Sequence, residues 1–136
     1  MKAVAYSVRS DERAFFEREA ERLGLADLPN VLYLGYVADG EAKALMAHCK
    51  AFLFPTLYEG FGIPPLEAVA CGAPEIIVSD TPCMREVYGD CAAYIDLSTN
   101  PGDVSAVTPP AAVPAVLLEK YSWDKSAAKL LEILER

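Results

Sequence analysis

Five short apolar segments recur along the first 95 residues of the chain. They are Ala3–Tyr6, Val31–Leu34, Ala51–Phe54, Ile76–Val78 and Ala92–Ile95. The apolar residues in each segment are continuous rather than alternating with polar ones, which is typical of strands that are buried on both faces of a sheet. Between these segments lie stretches in which apolar residues recur at helical spacing. This order of strands and helices predicts an α/β domain with a parallel sheet flanked by helices.

Residues that favour helix ends mark the limits of the predicted helices. Two helices begin after Ser10 and Asp39, with acidic residues at their start. A third begins at Pro64 and ends before Gly72, because proline is favoured in the first turn and glycine just past the end. A fourth, shorter helix follows Thr81. The apolar face of the first helix would consist of Phe16, Ala20 and Leu23.

The composition of the chain changes after Asp96. Residues 97–114 are rich in serine, threonine, proline and glycine, and we predict an irregular connection there. A last helix is predicted over residues 122–135, with an apolar face that must dock on another surface. This face consists of Trp123, Ala127, Leu130, Leu131 and Leu134. No second domain is visible, and residues 1–136 are predicted to form a single domain.

The charge balance argues against several classes of binding protein. With 12 Lys and Arg against 20 Asp and Glu, the formal net charge is −8 at pH 7, and no run of basic residues occurs. This balance disfavours a general binder of nucleic acid or of anionic membranes. Every apolar stretch is shorter than the about 18 residues of a membrane-spanning helix, and the N-terminal one is too short for a signal peptide. We expect no transmembrane segment and a cytoplasmic location.

The four cysteines and the one histidine do not form a recognisable metal motif. No C-x-x-C pair occurs among Cys49, Cys71, Cys83 and Cys91, and His48 is the single imidazole. This spacing fits neither a zinc site nor a thioredoxin-type motif. We expect reduced, partly buried thiols that act as small apolar residues.

The segment after the third predicted strand contains the strongest chemical signal. Open parallel sheets bind ligands beyond the carboxyl ends of their strands, which is where this segment lies. Gly60 and Gly62 flank an aromatic residue just before a helix, so the N–H groups of Gly60–Ile63 can approach a phosphate or a sugar. Glu59 and Glu67 can project toward one crevice and accept hydrogen bonds from vicinal hydroxyls. The same glycines would also suit a tight turn, and Glu67 would also complement the helix dipole.

Four segments of the chain resemble one enzyme family. Tyr58–Pro74 is similar to the E-x7-E signature of retaining, nucleotide-sugar-dependent glycosyltransferases with the GT-B fold. Asn30–Val37 resembles the "NVxFLGYV" strand and turn of that family, and Glu86–Asp90 resembles its "EVvGDAA" element. Tyr121–Ala127 resembles the "fSWeksA" start of its last helix. The resemblance implies a Rossmann-like parallel sheet flanked by helices, as half of a GT-B fold.

The resemblance also implies roles for individual residues. Glu59 would be the catalytic residue and contact the transferred sugar, and Glu67 would hold the ribose hydroxyls. The donor sugar and phosphate would lie against Gly60, Phe61, Gly62 and Ile63. The nucleotide base would lie near Gly35, Tyr36 and Val37. The substrate would be a nucleoside-diphosphate sugar, and neither a metal nor another cofactor is expected.

The resemblance covers residues 2–96 and 118–135, within the C-terminal, donor-binding half of such an enzyme. In the family, a further strand and a cationic loop come first, so this chain is expected to lack the central first strand. Arg9 is the nearest candidate for compensating the charge of the donor diphosphate, and the alternative interpretation is a solvated surface arginine. We expect Ala3–Tyr6 and Ala51–Phe54 to pair directly, or with a strand of another chain, because unpaired buried strand edges are costly.

Two hypotheses about function follow. The first is a donor-binding domain of a retaining glycosyltransferase, of hexosyl or mannosyl type, that transfers a sugar to an acceptor hydroxyl in carbohydrate biosynthesis. The sugar or lipid-linked acceptor would bind to a missing N-terminal domain, so the isolated chain would be inactive. The second hypothesis is a non-catalytic nucleotide or nucleotide-sugar binding module that pairs with another chain.

Overall fold

The computed structural model describes residues 3–6, 31–98 and 114–135, and the single positions 14, 18, 21, 22, 24, 107, 110 and 112. The predicted helix with Phe16, Ala20 and Leu23 lies outside the described residues, as does Arg9. In chain order the elements are β1 (Ala3–Tyr6), β2 (Val31–Gly35), α1 (Asp39–His48), β3 (Phe52–Phe54), α2 (Ile63–Cys71), β4 (Ile76–Ser79), α3 (Pro82–Tyr88), a 3-10 turn (Gly89–Cys91), β5 (Ala93–Ile95), α4 (Val116–Lys120) and α5 (Trp123–Leu134).

The chain divides into two compact units, and the strands of each unit are parallel. In the unit Met1–Leu45, β1 pairs with β2. In the unit Met46–Arg136, β4 lies between β3 and β5, and helices α2 and α3 connect these strands. The prediction of an α/β fold with parallel strands and flanking helices is therefore confirmed. That residues 1–136 form a single domain stays a prediction.

Strands β1 and β3 belong to different sheets. The direct pairing of Ala3–Tyr6 with Ala51–Phe54 concerns strands of two different units and stays a prediction. Within its own unit, each of the two strands pairs with the next strand along the chain, β1 with β2 and β3 with β4. Consecutive strands are usually neighbours in this way, and the pairing satisfies one edge of each strand. Pairing with a strand of another chain stays a prediction.

The central strand β4 forms the core of the second unit. All four of its residues are buried, as predicted for a strand that is covered on both faces. Ile76 and Val78 pack in one cluster with residues of α2, α3 and α4. Ile77 packs in a second cluster with Ala93 and Ile95 of β5. The alternation of side chains along the strand assigns these residues to opposite faces of the sheet.

Two other strands are more exposed than their sequences predict. Leu53 of β3 is 45% exposed, and Leu32 and Leu34 of β2 are exposed as well. Among the strands that the structure describes in each unit, β3 lies at an edge of its sheet beside the central β4, and β2 pairs with β1. An edge strand has fewer side-chain neighbours than a central one. The prediction of burial on both faces is therefore wrong for these three leucines.

The helices begin and end close to the predicted residues. Thr81 caps α3 by accepting a hydrogen bond from the N–H of Met84, and Ser122 caps α5 in the same way. Gly72 follows α2 with a φ of 102°, in the left-handed region that favours glycine. Helix α4 was not predicted, because five residues are too few to show a helical period. Most of the predicted irregular connection, residues 97–114, lies outside the described residues.

Helix α5 is exposed along its length. None of its residues is buried, and Trp123 is 87% exposed. Its apolar side chains include Leu130, Leu131 and Leu134, which are more than half exposed. The predicted docking of this apolar face is therefore not seen in the part of the chain that the structure describes.

We predict that Ile76→Ala lowers the free energy of unfolding by about 2 to 5 kcal/mol, because the truncation leaves a cavity beside the central strand. Leu53→Ala is the matched control on the neighbouring strand, where the leucine is already exposed, and it should lower the free energy by less than about 1 kcal/mol. Urea unfolding followed by circular dichroism measures both values. Equal losses for the two variants would contradict the central position of β4.

Candidate functional site

The candidate site is the loop between β3 and α2. Strand β3 ends at Phe54 and α2 begins at Ile63, so the loop starts at the carboxyl end of a parallel strand, as predicted. We call Glu59–Ile63 the glycine loop. Tyr58, which precedes it, is 92% exposed, and Phe61 and Ile63 are exposed as well. A ligand therefore has access to this edge of the sheet.

Gly62 has a backbone conformation that favours glycine. Its φ and ψ are 78° and 64°, in the left-handed region. The residue is buried, and a Cβ at this position would lie 2.5 Å from Cε and 3.2 Å from Sδ of Met84. Gly60 differs, because its φ is not positive and a Cβ there would meet nothing within 4 Å. The turn therefore requires glycine at Gly62 and tolerates a side chain at Gly60.

The N-terminus of α2 has no side-chain cap. Gly62 occupies the N-cap position, where serine, threonine or aspartate would accept a hydrogen bond from the first turn. Pro64 and Pro65 follow, and neither has an N–H group. Ile63 therefore provides the one N–H donor among the first three residues of α2. The positive end of a helix with an uncapped amide is a favourable place for an anion.

Glu59 is held by a polar chain that begins in the core. The buried Ser79 hydroxyl donates to the carbonyl oxygen of Thr56 and lies 3.5 Å from that of Phe54. The Thr56 hydroxyl lies 3.3 Å from Oε1 of Glu59 and 3.2 Å from the carbonyl oxygen of Tyr58. The half-buried Glu59 carboxylate therefore lies within hydrogen-bond distance of Thr56 at the start of the glycine loop.

Glu67 lies on α2, beyond its first turn. The first turn of α2 contains no acidic residue, and the effect of the helix dipole falls off within that turn. The alternative role of Glu67 as a partner of the helix dipole is therefore weakened. The side chain is exposed, and its carboxylate has no hydrogen bond or ion pair with any residue that the structure describes. That Glu59 and Glu67 face one crevice stays a prediction.

Tyr88 packs against the end of the glycine loop. It is 1% exposed, and its hydroxyl donates to the carbonyl oxygen of Gly62. Burial raises the pKa of this hydroxyl well above its ordinary value, and a hydrogen bond with the backbone of Leu66 opposes the rise in part. The phenol is therefore neutral and able to donate. The sequence analysis did not identify Tyr88 or Ser79 as site residues. A single hydroxyl within an apolar segment leaves the spacing of the apolar residues unchanged and so gives no signal.

An aromatic contact joins the glycine loop to the segment before α5. The ring centroids of Phe61 and Tyr121 are 5.1 Å apart and their planes meet at 84°, an edge-to-face arrangement. The Tyr121 hydroxyl donates to the carbonyl oxygen of Val87 at 3.0 Å. Nζ of Lys120 lies 4.8 Å from the centre of the Tyr121 ring. The Phe61 side chain is thereby fixed against the C-terminal segment.

An ion pair lies at the carboxyl end of β4. Nε and Nη2 of Arg85 lie 2.7 Å and 2.8 Å from the two carboxylate oxygens of Asp80. The guanidinium carbon also lies 3.8 Å from the centre of the Tyr94 ring. The hydrogen bonds from Arg85 hold the pKa of the Asp80 carboxyl below its ordinary value. The positive charge of Arg85 is thus already paired within the protein.

The residues expected near a nucleotide base belong to the first unit. Gly35 ends β2 with a φ of 64°, which agrees with the predicted turn. Tyr36 is exposed and Val37 is half-buried. Their proximity to a base stays a prediction.

The four cysteines are free thiols. Cys91 is buried and the other three are half-buried, which confirms the prediction of partly buried thiols. Burial raises the pKa of the Cys49 thiol above its ordinary value and disfavours the reactive thiolate. Within the described ranges, no group of three or more His, Cys, Asp or Glu residues could hold a metal ion. Nor is any described helix long and apolar enough to span a membrane.

Comparison with known proteins identifies a family match over most of the chain. Residues 9–136 match the family described as "Glycosyl transferases group 1". No solved structure matches the chain significantly.

Three curated relatives illustrate the similarity. The O-antigen chain mannosyltransferase B of Escherichia coli is 41% identical over 78 residues, which are 57% of this chain and 19% of the relative. The serotype-specific mannosyltransferase WbdA of Escherichia coli is 38% identical over 104 residues, 76% of this chain and 12% of the relative. The MMP alpha-(1->4)-mannosyltransferase of Mycolicibacterium hassiacum is 30% identical over 141 residues, 88% of this chain and 32% of the relative. The chain thus spans at most about a third of the length of these three proteins.

Gly62→Ala is expected to lower the free energy of unfolding by about 1 to 3 kcal/mol, because an L-residue is strained in the left-handed region and Met84 must move. Gly60→Ala is the matched control and should change the free energy by no more than about 0.5 kcal/mol. Chemical unfolding of both variants provides the comparison. A Gly62→Ala protein as stable as the control would show that the loop does not require this conformation.

Proposed function

The chain belongs to the glycosyl transferases group 1 family, and we propose that its glycine loop binds a nucleoside-diphosphate sugar for a retaining transfer to an acceptor hydroxyl. The family and the names of the relatives support the general activity of a GT-B glycosyltransferase. One observation carries the finer proposal: the uncapped N-terminus of α2 lies in the same segment as Glu59 and Glu67. This segment is the part of the chain that resembles the E-x7-E signature.

The donor diphosphate lies, in this proposal, at the positive end of α2. The Ile63 N–H and the adjacent loop amides donate hydrogen bonds to phosphate oxygens. Gly62 provides the left-handed turn that leads from the loop into α2, and its lack of a Cβ leaves room for the Met84 side chain. Fixed donors of this kind stabilise the charge that develops on the departing diphosphate without having to reorient during the reaction.

The two carboxylates have separate roles in the proposal. Glu67 is exposed on α2, and we assign it to the ribose hydroxyls of the nucleotide. Glu59 is held by Thr56, and we assign it to the hydroxyls of the transferred sugar. Glu59 is not proposed as a covalent nucleophile, because the two glutamates would hold hydroxyls rather than flank a scissile bond. The main contribution of the protein is then to orient the donor. The acceptor hydroxyl attacks the sugar on the face from which the diphosphate departs.

Mannose is the sugar that we propose for transfer. The three relatives described above are each named as mannosyltransferases. This chain corresponds to a minor part of the length of each relative. We therefore propose donor binding as its own contribution to the transfer. We propose no metal requirement and a cytoplasmic location.

We predict that a matching nucleoside-diphosphate mannose raises the melting temperature of the chain. A ligand at 100 times its Kd adds about 2.7 kcal/mol to the stability of the folded state. Thermal unfolding with the mannose and glucose conjugates of UDP, GDP and ADP, each at millimolar concentration, measures the effect and identifies the base. The absence of a shift with every conjugate would refute the proposal.

We also predict different effects of the two glutamates. Glu67→Ala should weaken binding of the free nucleoside diphosphate and of its sugar conjugate by about 10-fold or more, whereas Glu59→Ala should weaken only the conjugate, because each loses hydrogen bonds to the hydroxyls it serves. Isothermal titration with both ligands separates the two roles. Glu75→Ala is the control, since Glu75 precedes β4 at the opposite, amino-terminal edge of the sheet. Equal effects of both variants on both ligands would contradict the assignment.

A further inference from the structure

Two buried hydroxyls hold the backbone of the segment between β3 and α2, one near each end of that segment. Tyr88 of α3 donates to the carbonyl oxygen of Gly62, and Ser79 of β4 donates to that of Thr56. Both side chains belong to the core. A buried hydroxyl is unfavourable without a partner, and phenylalanine would fill the space of Tyr88 without that requirement. Packing alone therefore does not account for a tyrosine at this position.

The Tyr88 hydrogen bond fixes the direction of a neighbouring amide. The Gly62 carbonyl and the Ile63 N–H belong to one planar peptide unit, and in a trans peptide the two groups point in opposite directions. No cis peptide bond occurs among the described residues. Because the phenol holds the carbonyl, the Ile63 N–H points away from Tyr88. Pro64 and Pro65 lack N–H groups, so this amide is the donor available at the start of α2.

We propose that Tyr88 is a positioning residue for the Ile63 N–H, and that this amide donates to the diphosphate of the sugar donor. The identity of the ligand rests on the function proposed above, whereas the positioning rests on the contact between Tyr88 and Gly62. Tyr88 acts through the backbone, and Ser79 anchors the other end of the same segment. The loop therefore turns between two peptide units that the core holds in place.

Tyr88→Phe tests the positioning without any ligand. This variant keeps the aromatic ring in the core and removes only the hydroxyl. In the isotope-labelled, ligand-free chain, we expect the backbone order parameter of the Ile63 N–H to fall from about 0.85, the value of a rigid backbone, to below about 0.6. Nuclear magnetic resonance relaxation of the full chain measures this value.

Tyr94→Phe is the matched control. Its hydroxyl also donates to a backbone carbonyl, that of Gly89 at 2.7 Å, which lies outside the glycine loop. The control should leave the order parameter of Ile63 unchanged. Thermal unfolding of both variants establishes that each is folded at the temperature of the relaxation measurement, so that a loss of order specific to Tyr88→Phe is not general destabilisation.

Titration with the mannose conjugates of UDP, GDP and ADP tests the role of the amide. We expect the affinity for the best conjugate to fall about 5- to 10-fold in Tyr88→Phe and less than about 2-fold in Tyr94→Phe. An unchanged Ile63 order parameter in Tyr88→Phe would overturn the positioning, and unchanged affinity despite lost order would overturn the role of the amide. A wild-type chain that binds no conjugate would refute the proposed function and the role of the amide, while the order parameter would still decide the positioning.

Discussion

The burial of β4 is the constraint on which the second unit depends. Both faces of this strand are covered, with Ile76 and Val78 in one apolar cluster and Ile77 in another. Both of its edges are paired, so β4 also sets the positions of β3 and β5. Its last residue, Ser79, reaches the carbonyl oxygen of Thr56 at the carboxyl edge. The chain then enters α3 through the Thr81 cap, and this helix ends with Tyr88.

The geometry of the glycine loop is a consequence of that core. Hydroxyl groups that cannot reach water find their acceptors in the loop backbone, which costs less than leaving them unpaired. The segment between β3 and α2, which contains the loop, is thereby held at Thr56 and at Gly62, and Gly62 adopts a left-handed conformation against Met84. A rigid loop at the positive end of a helix provides oriented dipoles before any ligand arrives. Preorganisation of this kind connects the packing of β4 and α3 to the proposed donor site.

Much of the fold could be predicted from local sequence patterns. Apolar runs predicted the strands, and residues such as Thr81 and Ser122 predicted the helix ends. Both signals depend only on residues that are close together in the sequence. The exposure of Leu53 could not be predicted, since it depends on which strand occupies the sheet centre. The same difference between local and distant contacts applies to the candidate site. The glycines and glutamates were found by their spacing, whereas the contact between Tyr88 and Gly62 joins residues 26 positions apart and has no periodic signature.

The central claim is that the segment from Glu59 to Glu67 binds a nucleoside-diphosphate sugar through amides that the core holds in place. An amide-resolved titration of the labelled chain by nuclear magnetic resonance, with the mannose conjugates of GDP, UDP and ADP, tests it most directly. The account predicts that one conjugate shifts the amide signals of Gly60, Phe61, Gly62 and Ile63, with smaller changes at the start of α2. Saturable shifts confined to other parts of the chain, such as the ion pair of Asp80 and Arg85, would contradict it.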